Sequence, residues 1–351
     1  MINSIKNKFI HFGCWNNGRC NKDNGINGLS KVTKKLNYYK DIDFISIAGD
    51  NYYPEKVNKE KTFNKDNFIS GFECLPKDIL KYVIYGNHDV EDIFGNEKCK
   101  TLTEQLNKYS KDNDFVFFDD ILTYNYNNFI ILFIDTTLYT FEKDEYISNT
   151  CYKNLFNNIS NDLKIIFKIK DLINYQNNKV FDIIKINDKK NIIIIGHHPI
   201  YSVKEKDNKN KYDSNNGLIN LFSNNIFKNL KTYYLCADTH YYQESDIIIN
   251  NNKIKQYIVG TGGAELDTPT KENNNSYHEI NNIILNYKVI ESKKDFGFII
   301  CEIIDDKLNV EFINTYVYIG GNKLINGGNE YDDLYKNKYI KYKNKYLKLK
   351  I

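Results

Sequence analysis

Side chains that can bind metal ions or move protons recur along this chain at the ends of short apolar runs. They follow five such runs, at Cys14, Asp50, Asn87-His88-Asp89, His197-His198 and Asp238 with His240. In open α/β sheets, ligands bind outside the carboxyl ends of the strands, so we expect these side chains to meet at one edge. Imidazole, carboxylate and amide donors with few thiols suit Zn²⁺, Fe or Mn²⁺.

The elements that must position these groups are short strands. Runs of β-branched and aromatic residues end in polar or glycine turns at 8–13, 43–50, 81–89, 129–137, 191–199, 233–240 and 256–263. Such continuous runs are typical of strands buried on both faces. Helices are predicted between them at 60–70, 75–82, 101–111, 160–174, 178–186 and 217–230, and the alternation predicts an α/β fold. Later strands at 283–290, 296–304 and 307–318 predict an antiparallel finish, and Asn-rich stretches predict loops at 206–216, 249–253 and 271–283.

Each group taken singly also has a structural explanation. An aspartate after a strand, such as Asp50 or Asp238, commonly caps a helix. The histidine pair at 197–198, and His240, could be core histidines whose hydrogen bonds are satisfied. The Asn-His-Asp triplet at 87–89 has few structural uses in a glycine turn. The order of all these groups together favours a shared site.

That order resembles a known family. Gly49-Asp50-Asn51-Tyr52-Tyr53, Gly86-Asn87-His88-Asp89, the stretch 196–202 (GHHPIYS) and Asp238-Thr239-His240 resemble the motifs of the calcineurin-like metallophosphoesterase superfamily. The spellings GDNYY and GHHPIYS, with FIDTT (133–137) and GTGGAE (260–265), are similar to its purple acid phosphatase branch. The resemblance spans about residues 8–320. It implies a four-layer α-β-β-α sandwich of two mixed sheets flanked by helices, with a two-metal site at one edge.

The resemblance also implies which residues hold the metal ions. Asp50 would bridge two ions. Tyr53 and His240 would bind the first ion, and Asn87 and His197 would bind the second.

Other residues are expected to contact the substrate by the same resemblance. His88, held by Asp89, would stabilise or protonate the leaving oxygen. Asn51 and His198 are expected to contact substrate. Arg19, the only arginine of the chain, could contact phosphate or be a solvated loop charge.

Two positions depart from the family pattern. Asp238 stands where the first histidine of a G-H-x-H motif is expected, and a carboxylate is a competent ligand that would favour Mn²⁺ or Mg²⁺. Cys14 stands where a metal-binding aspartate is expected. Its thiolate can bind Zn²⁺ or Fe at about 2.3 Å, so Cys14 is a ligand, the mark of a lost metal site, or a small buried residue.

The resulting hypothesis is a hydrolase of the acid-phosphatase type. It would cleave phosphate monoesters with two metal ions (Fe, Zn or Mn), because two cations neutralise the ester and activate hydroxide near neutral pH. A degenerate relative with a binding or structural role is the alternative. A nuclease is less favoured, because the body of the chain is near neutral.

Charge is concentrated at the end of the chain. The 351 residues carry a net charge of +3, and residues 331–351 hold seven lysines against Asp332 and Asp333, so the remainder carries about −2. We therefore expect a small phosphorylated substrate rather than nucleic acid. We expect a phosphoesterase domain at 1–325, by the resemblance, and a basic Tyr/Lys-rich tail at 326–351. Tyrosines at helical spacing predict an amphipathic tail helix, which packs on the domain or contacts a protein or membrane surface.

The seven cysteines are scattered and form no CxxC pair. No leader is recognisable, and no stretch approaches the roughly 20 apolar residues of a membrane span. These features predict an intracellular protein with reduced thiols. The Asn/Lys/Ile-rich composition and the tail are similar to proteins of giant DNA viruses, which would place the protein in a host cytoplasm or a virion.

Overall fold

The computed structural model describes residues 7–16, 20, 27–53, 55–57, 60–90, 100–101, 104, 115–117, 121–126, 128–141, 168–187, 191–270, 275–280, 282–315, 317–319 and 322–324. Arg19 and the tail at 326–351 lie outside the described residues, and so does the predicted tail helix. None of the helices in these ranges is long and apolar enough to cross a membrane.

Strands dominate the described part of the chain. They are β1 (Lys8–Phe12), β2 (Phe44–Ala48), β3 (Glu55–Val57), β4 (Glu60–Thr62), β5 (Leu80–Ile84), β6 (Phe115–Phe117), β7 (Leu122–Asn125), β8 (Phe129–Phe133), β9 (Asn191–Ile195), β10 (Tyr201–Lys206), β11 (Lys209–Ser214), β12 (Lys231–Cys236), β13 (Tyr242–Ile249), β14 (Asn252–Val259), β15 (Asn275–Ile280), β16 (Ile283–Lys293), β17 (Gly297–Ile304), β18 (Lys307–Asn314), β19 (Val317–Ile319) and β20 (Asn322–Leu324). The helices are α1 (Gly28–Leu36), α2 (Lys65–Glu73), α3 (Asn87–Val90), α4 (Ile169–Ile186) and α5 (Asn216–Phe222). Single 3₁₀ turns lie at Thr137–Tyr139 and Asn225–Phe227.

Most of these strands form two large mixed sheets. The first sheet has the order β18-β17-β1-β2-β5-β6, and the second has the order β15-β16-β13-β14-β12-β9-β8-β7. In the first, β1, β2, β5 and β6 are parallel and the other pairs antiparallel. In the second, β8, β9, β12 and β14 are parallel neighbours.

Side-chain alternation along the strands builds the layers. Phe129, Ile131 and Phe133 of β8 join the core that also contains the first sheet, α1 and α2. Ile130 and Leu132 point the other way, into a second core with α4 and α5. Successive side chains of a strand point to opposite faces, so β8 is buried on both. These layers confirm the predicted α-β-β-α sandwich.

Asparagine side chains cap the N-termini of three helices. The side chains of Asn27, Asn64 and Asn215 accept hydrogen bonds from backbone N–H groups in the first turns of α1, α2 and α5. These bonds satisfy donors that have no partner inside the helix. The high asparagine content of the chain therefore contributes directly to where its helices begin.

Several predicted elements differ in the structure. The loop predicted at 206–216 is largely the β10–β11 hairpin, whose turn residues Asp207 and Asn208 both have positive φ, as a two-residue hairpin turn requires. The loop predicted at 271–283 contains β15. The helix predicted at 75–82 is instead a turn followed by β5, because β5 pairs with β2.

The predicted helix boundaries also change elsewhere. The helix predicted at 60–70 is α2 preceded by β4, and the prediction at 217–230 holds only for α5 and a 3₁₀ turn. The two helices predicted between 160 and 186 are one helix, α4, where they fall in described residues. The late strands are confirmed, but β16 joins the second sheet and β17 and β18 the first.

One disulfide contradicts the prediction of reduced thiols. Cys20 and Cys74 are joined, with their Cα atoms 6.4 Å apart. The bond ties the segment after β1 to the end of α2. Cys14, Cys236 and Cys301 are free and buried.

A buried histidine connects the two sheets. His11 of β1 is fully buried; its Nδ1 lies 3.1 Å from Ser46 Oγ on β2 and its Nε2 lies 3.3 Å from the Cys236 carbonyl oxygen on β12. A carbonyl oxygen only accepts, so Nε2–H donates to Cys236 and the Ser46 hydroxyl donates to Nδ1. Burial lowers the pKa of His11 to about 4.

This pKa predicts a loss of stability in acid. A histidine whose pKa is lower in the folded state stabilises the fold above its unfolded pKa of about 6.5, and this contribution is lost as the pH falls towards 4. The full difference is about 3 kcal/mol. Urea unfolding of the native protein and of His11→Gln from pH 7 to pH 4 should show the native protein losing about 3 kcal/mol more. Parallel pH profiles would contradict this role of His11.

Candidate metal centre

The carboxyl ends of five strands meet at one edge of the sandwich. β1, β2 and β5 are adjacent and parallel in the first sheet, and β9 and β12 are adjacent and parallel in the second. Backbone hydrogen bonds join the loops that follow: Cys14 N–H donates to the Gly49 carbonyl at 3.1 Å and Ala237 N–H to the His197 carbonyl at 2.8 Å. The side chains that follow these strands are thereby brought together.

Three of these residues have an uncommon backbone conformation. The φ angles of Cys14, Asp50 and Asp238 are 53°, 51° and 54°. Each lies two residues beyond the end of its strand. Positive φ is tolerated by aspartate but is unusual for cysteine, and it costs on the order of 1–3 kcal/mol per residue. Such strain concentrates at functional sites, where side-chain direction matters.

Asp50 lies between two groups of donors and is 1% exposed. Its Oδ2 accepts a hydrogen bond from the Tyr53 hydroxyl at 2.5 Å and lies 3.8 Å from Cys14 Sγ. Its Oδ1 lies 3.3 Å from His197 Nε2 and accepts a hydrogen bond from the His88 backbone N–H at 3.1 Å. One carboxylate thus faces both donor sets.

The first donor set surrounds Asp50 Oδ2. It combines Cys14, Tyr53 and His240. The Tyr53 hydroxyl lies 3.0 Å from His240 Nε2, and ligand atoms of Cys14, Asp50 and His240 all lie within 4.8 Å of one another. This set offers sulfur, phenol, imidazole and carboxylate donors.

The second donor set surrounds His197 Nε2. Asn87 Oδ1 lies 3.1 Å and Asp238 Oδ1 3.7 Å from this nitrogen. His198 also has a ring nitrogen within 4.8 Å of ligand atoms of His197 and Asp238. Apart from the imidazoles, this set offers only oxygen.

The orientation of two imidazoles fits metal binding. His197 Nδ1 lies 2.6 Å from the Ala48 carbonyl oxygen, and His240 Nδ1 lies 2.7 Å from the Glu265 carbonyl oxygen. Each Nδ1 must carry a proton to donate to a carbonyl, so in the neutral ring Nε2 holds the free lone pair. Metal-binding histidines are typically held by such a bond. The donor types and this orientation therefore fit divalent metal ions.

The buried charges compensate one another when no cation is bound. Burial alone would raise the pKa of Asp50, but the positive charge of His197 outweighs it and holds that pKa below its usual range. Burial opposes a charged His197, yet Asp50 and Asp238 raise its pKa to about 9. Burial, with the charges of Asp50 and Asp238, raises the pKa of the Cys14 thiol. Burial also raises the pKa of Asp238.

The residues predicted to contact substrate have varied surroundings. Asn51 is fully buried, with its side-chain nitrogen bonded to the Ile84 carbonyl and Asp89, and its oxygen to Trp15 Nε1. Asp89 also accepts from the backbone N–H groups of Asn51 and Gly86. These contacts position the Asp50 loop. The predictions that Asn51 contacts substrate and that Asp89 holds His88 stay predictions.

His88 and His198 lie beside the donor sets. The His88 ring is half-buried and lies 5.3 Å from the Tyr53 ring, measured between centroids. His198 is buried, with Nδ1 3.1 Å from Thr136 Oγ1. Burial and the nearby His197 charge lower the pKa of His198. Arg19 lies outside the described residues.

Sequence reasoning missed the groups that support the donors. Thr136 Oγ1 accepts hydrogen bonds from the backbone N–H groups of His197 and His198, each at 2.9 Å. Asp267 Oδ2 accepts from the backbone N–H of His240 at 3.2 Å. The Ala264 N–H donates to the Cys14 carbonyl at 3.0 Å. Thr136 lies in the stretch FIDTT and Ala264 in GTGGAE, and both stretches were singled out only by their resemblance to the family.

Comparison with protein families agrees with this geometry. A family model described as calcineurin-like phosphoesterase matches residues 8–242. The chain belongs to the calcineurin-like phosphoesterase family. This membership supports phosphoester hydrolysis with divalent metal ions. No curated protein sequence matches the chain.

Solved structures also resemble the chain. GAP50, the anchor in the inner membrane complex of Plasmodium, is 15% identical with a TM-score of 0.51, and the match covers 88% of this chain and 84% of that one. PhoD is 10% identical with a TM-score of 0.49, and the match covers 87% of this chain and 68% of that one. At this identity the likeness to GAP50 shows the fold alone.

A glycine beside Asp50 tests the importance of the carboxylate position. A Cβ at Gly86 would lie 2.3 Å from Asp50 Oδ1. Gly86→Ala should displace the carboxylate and weaken metal binding by at least about tenfold, as the loss of a supporting contact does. Calorimetric titration with Zn²⁺ and Mn²⁺ measures this.

The matched control lies on α5. A Cβ at Gly217 would lie 2.4 Å from the Tyr139 ring, a comparable clash away from the donor sets. Gly217→Ala should leave metal affinity unchanged. Equal affinities for the two variants would contradict the placement of Asp50 at the centre of the site.

Proposed function

We propose that this chain hydrolyses phosphate monoesters at a site for two metal ions bridged by Asp50. The observation that carries the proposal is the division of the Asp50 carboxylate, with Oδ1 facing His197 and Oδ2 facing Tyr53. A bridging carboxylate sets the spacing that a two-metal hydrolase needs, about 3.5–4 Å between ions. Tyr53, Cys14 and His240 are the proposed ligands on one side, and Asn87, His197 and Asp238 on the other.

The side chains around this site have separate proposed roles. Bound metal ions would neutralise the phosphate and lower the pKa of an attacking water. His88, half-buried at the edge of the site, would give a proton to the leaving oxygen. His198 would contact the phosphate. Asn51 and Asp89 would hold the Asp50 loop in place through the hydrogen bonds described above.

A monoester is the proposed substrate class for two reasons. The phenol of Tyr53 reaches the first donor set, in agreement with the spellings that resemble purple acid phosphatases. The near-neutral charge of residues outside the tail offers little attraction for a polyanion such as nucleic acid. Fe, Zn and Mn are the proposed metals.

A structural role is the second candidate. The similar fold of GAP50, a protein described as an anchor, and the changed ligands at Cys14 and Asp238 favour it. The two candidates differ in metal content. An anchor that has lost catalysis would hold less than one ion per chain after reconstitution, whereas the hydrolase would hold two, and elemental analysis of purified protein separates them.

The location of the protein also stays a proposal. Composition and the tail favour a viral protein in a host cytoplasm or a virion. The Cys20–Cys74 disulfide favours an oxidising environment, since such bonds rarely persist in the cytosol. A virion that has left the cell satisfies both observations.

Removal of the bridging carboxylate tests the hydrolase proposal. Protein loaded with Fe, Zn or Mn should hydrolyse an aryl phosphate, and Asp50→Asn should lower kcat/KM by at least about 1,000-fold, because electrostatic stabilisation at such sites is large. Asp182→Asn, at an exposed carboxylate on α4, is the matched control and should retain full activity. Turnover equal to that of Asp50→Asn for every metal would refute the hydrolase.

A further inference from the structure

We propose that Cys14 is a metal ligand and that its thiolate makes the first position more selective for Zn²⁺ over Mn²⁺ than the second position. This inference rests on the proposed two-metal hydrolase and adds how the two positions differ in metal selectivity.

The position of the sulfur supports ligation. Cys14 is fully buried, and its Sγ lies 3.8 Å from Asp50 Oδ2. Ligands of one zinc ion, at about 2.3 Å for sulfur and 2.1 Å for oxygen, can be at most about 4.4 Å apart. The Tyr53 hydroxyl and His240 Nε2, 3.0 Å apart, are equally compatible with a shared ion. One donor atom from each of four residues therefore converges here, and four is the coordination number that Zn²⁺ prefers. The four are Cys14, Asp50, Tyr53 and His240.

The backbone aims the sulfur at this point. Cys14 has a φ of 53°, although cysteine gains nothing from this conformation by its own preference. A cysteine that only filled space would not need this strained backbone.

Other buried cysteines of the chain show the contrast. Cys236 is equally buried, but its thiol donates to the Tyr257 carbonyl at 3.5 Å and lies in the helix-side core. Cys301 lies in the same core as Cys14, but it belongs to neither metal-ligand cluster of the described residues. Neither has a positive φ among the described residues. Cys14 is thus distinguished by its surroundings rather than by burial.

The two donor sets differ in softness. The first includes sulfur, which favours Zn²⁺ over Mn²⁺ and Mg²⁺. The second offers oxygens of Asn87, Asp238 and Asp50 with imidazole nitrogens and no sulfur, so its preference for Zn²⁺ over Mn²⁺ is weaker. Zn²⁺ binding at the first position would release the Cys14 thiol proton to solvent, forming an S–Zn bond as the S–H bond breaks.

Cobalt substitution tests sulfur ligation directly. The Co²⁺-loaded native protein should show a near-ultraviolet charge-transfer band from thiolate to cobalt. Cys14→Ser should lose this band, and Cys236→Ser, the matched control, should keep it. Because Cys99 and Cys151 lie outside the described residues, the difference between native protein and Cys14→Ser is the decisive spectrum.

Metal competition tests selectivity. Dialysis of the zinc-loaded protein against an excess of Mn²⁺, followed by elemental analysis, should remove Zn²⁺ from the second position and leave one Zn²⁺ per chain. Cys14→Ser should weaken Zn²⁺ binding by at least about 100-fold, more than loss of a supporting contact. Under the same dialysis Cys14→Asp should instead lose Zn²⁺ from both positions.

The outcomes separate this inference from the proposed function. Two bound ions with turnover but without a cysteine-dependent band would overturn the thiolate site and leave the hydrolase standing. A band without aryl phosphate turnover would support the thiolate site and refute the hydrolase. Failure to bind any metal would refute both.

Discussion

The carboxylate of Asp50 is the group on which the rest of the site depends. It is buried where the two sheets meet, and a buried carboxylate is strongly unfavourable unless an opposite charge faces it. His197 supplies that charge from the second sheet, 3.3 Å from Oδ1, and its own ring is fixed by the Ala48 carbonyl of the first sheet. The contact between the two sheets at this edge therefore depends on the same pair of charges, Asp50 and His197, that balances the site. A cation bound here would take over the compensation of Asp50, and His197 would then serve as a neutral ligand.

Glycines allow the backbones near Asp50 and His197 to approach closely enough for this contact. Gly49 has a φ of 76°, and a Cβ there would lie 2.6 Å from His197 Nδ1. A Cβ at Gly13, after β1 of the first sheet, would lie 2.6 Å from the Cβ of Ala237, after β12 of the second sheet. Glycines thus let the two sheets come within hydrogen-bond distance at the site. Farther from the loops, His11 of β1 connects the two sheets by hydrogen bonds to Ser46 on β2 and to the Cys236 carbonyl on β12. A neutral imidazole satisfies both partners.

The sequence predicted which donor side chains converge better than it predicted the contacts that hold them in place. Asp50 and His197 follow apolar runs of strand length, and parallel strands bring such residues to one edge, so strand pattern alone was sufficient. The hairpin at 201–214 was missed because its strand β11 is polar and exposed, which removes the apolar signal. The group that fixes His240 is the backbone carbonyl of Glu265, and a backbone contact cannot be predicted from residue type. The pairing of Cys20 was missed because connectivity depends on tertiary approach, not on spacing.

The two departures from the family pattern preserve the capacity to bind metal. Cys14 replaces an expected carboxylate by sulfur, and Asp238 replaces an expected imidazole by a carboxylate, so each position still offers a ligand atom within the cluster. Drift after loss of function would place residues without donors at such positions at least as readily. Together the replacements add one negative charge when the thiol is ionised, but next to Asp50 and Asp238 the buried thiol keeps its proton until a cation is present. The buried edge therefore carries the ion pair of Asp50 and His197, and a cation bound here would displace the thiol proton of Cys14.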